Sequence, residues 1–135
     1  MEATTATRTM IVLVVDDEID VEDLFKQRFR REIKSDVLTC RFAHSGEEAL
    51  AFLRSNGPTE LVLILSDINM PGMSGLELLK HVKQDHAGLK VFMITAYGDS
   101  KNYNAAITAG ADDFINKPID FDTLKAKIYG ALGIA

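Results

Sequence analysis

Two runs of aliphatic residues, each of strand length and each ending in acid, limit what this chain can become. Met10–Val15 (MIVLVV) runs into Asp16, Asp17 and Glu18, and Leu61–Leu65 (LVLIL) runs through Ser66 into Asp67. Uninterrupted apolar runs of this length read as strands buried on both faces, the habit of parallel sheets covered by helices. Each run delivers carboxylates to its C-terminal end, where open α/β sheets place their chemistry. After Asp67 the chain turns through Asn69, Pro71 and Gly72. Nothing apolar follows that would hide the acid, so Asp67 is expected to stand open at the mouth of the loop.

The intervening segments supply the helices. Between Ile19 and Ile33, Val21, Leu24, Phe25, Phe29 and Ile33 recur at three- and four-residue steps and mark one buried stripe, with Lys26, Arg30, Arg31 and Lys34 on a solvated face. Val37–Ala43 alternates like an edge strand. Ser45 with Glu48, and Ser74 with Glu77, match the capping box that opens a helix. The first of these helices stops at Asn56, Gly57 and Pro58, and the second fades near His86–Gly88. Leu89–Ala96 is a fourth strand ending in the hydroxyl of Thr95. A helix over Ser100–Ala109 follows, with Tyr103, Ala106 and Ile107 inward and Gly110 as its C-cap. Asp113–Asn116 is a short fifth strand leading to Lys117 and Pro118, and Asp120 or Asp122 caps a last helix with Phe121, Leu124, Ile128 and Leu132 inward.

Five strands alternating with five helices predict a doubly wound, three-layered α/β fold. Its parallel sheet should be flavodoxin-like, in the order 2-1-3-4-5, with the switch point between the first and third strands. At 135 residues and 47% hydrophobic content the chain is the size of one domain. The expectation is a flexible polar tail over 1–9 and a single domain over 10–135. The net charge of −5 argues against nucleic-acid binding. The N-terminus lacks the apolar core of a signal peptide, and no run approaches the roughly 18 apolar residues of a membrane span. A cytoplasmic location is expected. The single cysteine, Cys40, reads as a small buried hydrophobe.

In that strand order Asp16, Asp17, Asp67, Thr95 and Lys117 meet in one cleft. Three crowded carboxylates repel unless a cation sits among them, and Mg²⁺ suits an oxygen shell of this kind. Zinc lacks its usual ligands, because His44, His81 and His86 are not spaced as a pair and Cys40 stands alone. A metal-bound carboxylate beside a lysine and a threonine suits covalent phosphoryl chemistry, with Asp67 as the attacking group. Taken singly, each residue has a blander use: Asp16 and Asp17 as helix caps, Thr95 at a strand end, Lys117 as a surface charge.

The segments VVDDE (Val14–Glu18), SDINMPGMSG (Ser66–Gly75), ITAYG (Ile94–Gly98) and GADDFINKP (Gly110–Pro118) resemble, in order and spacing, the receiver domain of two-component response regulators. The resemblance implies a regulatory phosphoacceptor, not a turnover enzyme. Asp67 would take its phosphoryl group from a sensor histidine kinase or histidine phosphotransfer protein. Asp17, Asp67 and the main-chain carbonyl of Asn69 would be direct Mg²⁺ ligands, with Asp16 acting through water. Lys117 and Thr95 would contact the phosphoryl group, and Thr95 with Phe114 would form the switch. Asn69 and Tyr97 occupy the positions that tune phosphoryl lifetime. The implied output surface is the fourth helix, fifth strand and fifth helix, with Tyr103, Phe114, Phe121 and Lys125 in or near it. Homodimerisation there is allowed by the resemblance but rests on no residue of this chain. Kinase docking would use Ile19, Asp20 and Val21 and the loop after Lys117. The isomer of the Lys117–Pro118 bond stays open, as does whether an effector domain follows Ala135.

Competing functions fit less well. A flavin carrier needs hydroxyls and glycine amides after its first strand, where this chain has Asp16, Asp17 and Glu18, which repel phosphate. An aspartyl-phosphate phosphotransferase or phosphatase shares the chemistry, but its second acid is expected two residues after the nucleophile, where Asn69 stands.

Overall fold

The computed structural model of the protein describes residues 10–56, 61–96 and 98–133. The expected tail, the stop at Gly57 and Pro58, and Tyr97 lie outside the described residues. The strands are β1 (Met10–Val15), β2 (Leu38–Ala43), β3 (Leu61–Asp67), β4 (Lys90–Ala96) and β5 (Asp113–Lys117). The helices are α1 (Asp20–Arg28), α2 (Arg30–Lys34), α3 (Gly46–Asn56), α4 (Gly75–Asp85), α5 (Ser100–Ala109) and α6 (Phe121–Leu132). All neighbouring strands pair parallel, in the expected order β2-β1-β3-β4-β5.

The apolar runs are continuous because alternate residues feed two separate cores. Leu13, Val15, Ile64, Val91 and Met93 pack under α3, α4 and α5, against Leu53, Leu78, Leu79, Val82 and Ala106. Val12, Val14, Leu63, Leu65, Phe92 and Ile94 pack on the opposite face, against Phe25, Phe29, Phe121, Leu124 and Ile128. A strand covered on one face alone would alternate apolar with polar residues. The caps follow the sequence closely. Ser74 and Glu77 form the full reciprocal box, with bonds of 3.2 and 3.0 Å. Ser45 accepts from the Glu48 N–H, but the Glu48 carboxylate reaches the N–H of His44, one residue further back than expected. Asp120, not Asp122, caps α6, and Gly110 closes α5 in the left-handed conformation.

Four expectations need correction. The first helix is two, α1 and α2, joined at Phe29 (φ −102°, ψ 15°), so the described residues form six helical segments in place of five. At this joint the Phe29 ring stacks on Phe25 and meets Phe121 edge-on, and the i to i−4 bonds of Phe29 and Ile33 persist, so the two segments remain nearly continuous. On α5 only Ala106 is fully buried; Tyr103 and Ile107 are 42% and 50% exposed. With Ala106 centred, they lie about 60° and 100° around the helix, on its flanks. Leu24 is likewise exposed at the rim of its stripe. Finally, Phe121 and Lys125 do not face the implied output surface, which here comprises α5, β5 and α6. Phe121 packs on Phe25 and Phe29, and Lys125 pairs with Glu32 of α2 at 3.3 Å.

Cys40 behaves as a packed side chain. It lies against the aromatic core, and burial first, then the nearby Glu32 charge, pushes its thiol from 9.0 up to about 12. A disulfide reagent should therefore modify Cys40 about a thousandfold more slowly in the folded chain than in denaturant near neutral pH, in line with the lower thiolate fraction. Reaction at equal rates would contradict this packing.

Candidate functional site

The parallel register brings the strand ends to one level. Val15 lies beside Ser66, Asp67 beside Ile94, Thr95 beside Asn116 and Ala96 beside Lys117. Asp16, Asp17, Asp67, Thr95 and Lys117 thus share the C-terminal edge of the sheet. The carboxylates of Asp16, Asp17 and Asp67 present oxygens that all lie within 4.8 Å of one another. Lys117 Nζ donates to Asp67 Oδ2 at 2.7 Å. The Lys117–Pro118 bond is cis.

Asp67 does not stand open as expected: it is only 4% exposed. The loop after β3 folds back, burying Ile68 and Met70, and Lys117 closes over the carboxylate. The N–H of Asn69 reaches Asp67 Oδ1 at 3.3 Å, and Ser66 Oγ donates to the Asp67 carbonyl at 3.0 Å. The start of α4 presses on the same backbone. Gly75 N–H donates to the Ile68 carbonyl at 2.8 Å, and a Cβ at position 75 would fall 2.0 Å from the Asp67 carbonyl oxygen. Only glycine permits that approach.

Asp16 is also buried, while Asp17 is exposed. Burial chiefly holds Asp16 above its ordinary value of 3.8; the Glu18 N–H, 2.9 Å from Oδ1, opposes this and the Asp67 charge adds to it. Burial also works against the charge on Lys117, but the bond to Asp67 and the charges of Asp67, Asp16 and Glu18 outweigh it and hold the ammonium above its usual range. One cation thus faces three carboxylates. An anionic, all-oxygen donor set open to solvent through Asp17 fits a hard divalent ion such as Mg²⁺. The nearby imidazole of His44 is engaged elsewhere, with Nδ1 3.2 Å from the Asp16 carbonyl and Nε2 3.4 Å from Glu22.

The remaining expected residues sit one step away from the acids. Thr95 is buried, and its hydroxyl donates to Asn116 Oδ1 at 3.1 Å. Phe114 is half-buried and packs on Tyr103, ring centroids 4.3 Å apart. Asn69 is exposed beside the acids. An open groove of about 480 Å³ leads from Asp16 past Lys117 and Pro118 to Phe121, walled by Val21 and Leu24; Ile19 at the head of α1 is 72% exposed. Sequence reasoning missed Gly75 and Asn116. A glycine directly after a capping serine was a signal for the first, and a lone amide inside β5 was one for the second.

Known proteins resemble this chain in sequence and fold. The chain is 39% identical over 122 residues to the DNA-binding transcriptional regulator NtrC of Salmonella typhimurium, covering 90% of this chain and 24% of that protein. It is 37% identical to the response regulator protein PilR of Pseudomonas aeruginosa, over 89% of this chain and 25% of the relative. The chain therefore spans about a quarter of the length of these relatives. Among solved structures, the receiver domain of NtrX from Brucella abortus matches with a TM-score of 0.76 and 34% identity, over 92% of this chain and 99% of that one. A CheY-like receiver domain protein from Methanospirillum hungatei matches at 0.81 and 31%, over 93% and 94%. With the family model described as the response regulator receiver domain matching residues 12–129, across the acids, the threonine and the lysine, this chain belongs to the response regulator receiver domain family.

Proposed function

We propose that the chain is a phosphoacceptor switch in which Asp67 accepts a phosphoryl group from a phosphohistidine. The observation that carries this reading is the Asp16, Asp17 and Asp67 cluster with Lys117 bonded to Asp67 at 2.7 Å. An oxygen of Asp67 attacks phosphorus; the P–O bond forms as the P–N bond breaks, and the departing electron pair stays on the imidazole, which takes a proton from solvent. Asp17, Asp67 and the main-chain carbonyl of Asn69 would hold Mg²⁺, with Asp16 contributing through water. When bound, the ion supplies charge neutralisation for the carboxylates and the phosphoryl oxygens. Lys117 passes from the carboxylate to a phosphoryl oxygen, and the Thr95 hydroxyl turns to another. Phe114 follows Thr95 and alters the surface of α5, β5 and α6, a two-state element biased by new charge.

The donor, a sensor kinase or histidine phosphotransfer protein, would dock on Ile19, Asp20 and Val21 and the loop after Lys117, across the groove described above. Asn69 and Tyr97 would set how readily water reaches the acyl phosphate. The domain acts on itself alone, consistent with Asn69 in place of a second acid. No helix among the described residues is long and apolar enough to cross a membrane; the proposed location is the cytoplasm, where a phosphohistidine donor would meet the chain. An effector domain, as in the DNA-binding relatives, would read the switch, and the altered surface would serve a homodimer.

Transfer from a radiolabelled histidine phosphotransfer protein tests the reading. Label should move to this chain in Mg²⁺ and remain on the donor in excess EDTA. Transfer undiminished by EDTA would contradict it.

A further inference from the structure

We propose that Asn116 is a latch that holds the Thr95 hydroxyl in the resting position and thereby sets how much of the chain is ready to take a phosphoryl group. The inference rests on the reading of Asp67 as phosphoacceptor and of Thr95 as the hydroxyl that turns to it. Thr95 and Asn116 are register partners on β4 and β5, so their side chains rise from the same face of the sheet. Thr95 is 3% exposed, and its Oγ1 donates to Asn116 Oδ1 at 3.1 Å. The hydroxyl is therefore satisfied by an amide on the neighbouring strand while the Asp67 carboxylate is satisfied by Lys117 and Asn69.

The two bonds of Thr95 exclude each other. A hydroxyl has a single proton to donate, so turning it to a phosphoryl oxygen on Asp67 requires releasing Asn116. Asn116 is itself exposed, but Thr95 is buried, so an apolar residue at 116 would take from the hydroxyl its protein acceptor in the resting state alone. A buried donor left unpaired is costly, and the charge-assisted bond in the phosphorylated state would restore it. The resting state is thus favoured by Asn116 and disfavoured by its removal. The surroundings have room for this movement. A cavity of about 260 Å³ bordered by Thr95, Asp99, Tyr103 and Asn116 lets the amide turn away when the hydroxyl leaves. Two residues before Asn116 on the same face, Phe114 rests on Tyr103, so release of the latch is felt by the aromatic pair on the α5 side. Asn116 is a positioning residue: it touches Thr95, not the reacting atoms.

The test is a titration of beryllofluoride, a phosphoryl mimic, with Mg²⁺ on wild type, Asn116→Val, Asn116→Asp, Thr95→Ala and the Thr95→Ala/Asn116→Val double variant. Asn116→Val should bind the mimic about two- to tenfold more tightly than wild type, the range expected for one part-buried hydrogen bond. Asn116→Asp keeps the acceptor and should bind no more tightly than wild type. The double variant should match Thr95→Ala, because the latch acts through the hydroxyl. In the ligand-free state, NMR couplings of Thr95 should report one side-chain rotamer in wild type and averaging in Asn116→Val. Wild-type binding with no gain in Asn116→Val, or a gain that survives in the double variant, overturns the latch while leaving the phosphoacceptor reading intact. Failure of the wild type to bind the mimic overturns both.

Discussion

Gly75→Ala is expected to destabilise the domain by about 3 kcal/mol and to weaken Mg²⁺ binding with it. The added carbon would lie 2.0 Å from the Asp67 carbonyl oxygen and 2.8 Å from the Ile68 Cα, both backbone atoms that cannot rotate away. Either α4 must withdraw or the end of β3 must shift, and β3 carries Asp67. Loss of stability and loss of the carboxylate cluster are therefore linked at this residue. Gly88 is the natural control, since nothing lies within 4 Å of a Cβ placed there; its alanine variant should stay within about 0.5 kcal/mol of wild type. Urea unfolding of both variants, with and without Mg²⁺, checks the difference. Similar midpoints for Gly75→Ala and Gly88→Ala would contradict the close contact between α4 and β3.

Asp16→Asn is expected to raise the melting temperature of the metal-free chain by roughly 2–5 °C and to remove most of the stabilisation that Mg²⁺ gives. Burial, and the Asp67 charge in addition, holds Asp16 above 3.8 in the folded chain. The folded state therefore binds the Asp16 proton more tightly than the unfolded state does. The cost of ionising Asp16 is absent below 3.8 and grows as pH rises through the elevated folded value. An amide keeps an oxygen for the Glu18 N–H while removing a charge from the cluster. Wild type and variant should converge as the pH falls toward 3.8 and diverge toward neutrality in EDTA. A constant gap across that range would show that the charge of Asp16 is not the cause.

Most of the architecture was legible because its signals are local. Apolar runs of strand length that stop at Asp16 and Asp67 locate β1 and β3, and the order of strands and helices leaves few ways to cover both faces of a sheet. Asp16, Asp17, Asp67 and Lys117 are consequences of that topology, since each ends a strand at the same edge. What escaped the sequence depends on neighbours distant in the chain. The joint at Phe29 falls where its ring meets Phe121 of the last helix, a contact that the periodicity of the first helix does not contain. Periodicity placed Tyr103 and Ile107 on the same broad face as Ala106, but contact with β4 selects the small residue and leaves the large ones at the flanks. Asp67 is covered by Lys117, fifty residues further along the chain, and by a loop whose return is pinned where Gly75 donates to the Ile68 carbonyl. The bond between Thr95 and Asn116 is a matter of register between β4 and β5, which neither segment specifies alone.

We propose Asp67 as the phosphoacceptor on which the whole switch depends. Incubation with a small acyl phosphate and Mg²⁺, followed by intact mass measurement, tests it most directly. The wild type should gain the mass of one phosphoryl group, and Asp67→Asn should gain none. A wild type that stays unmodified, or an Asp67→Asn variant that gains the group equally, would contradict the account.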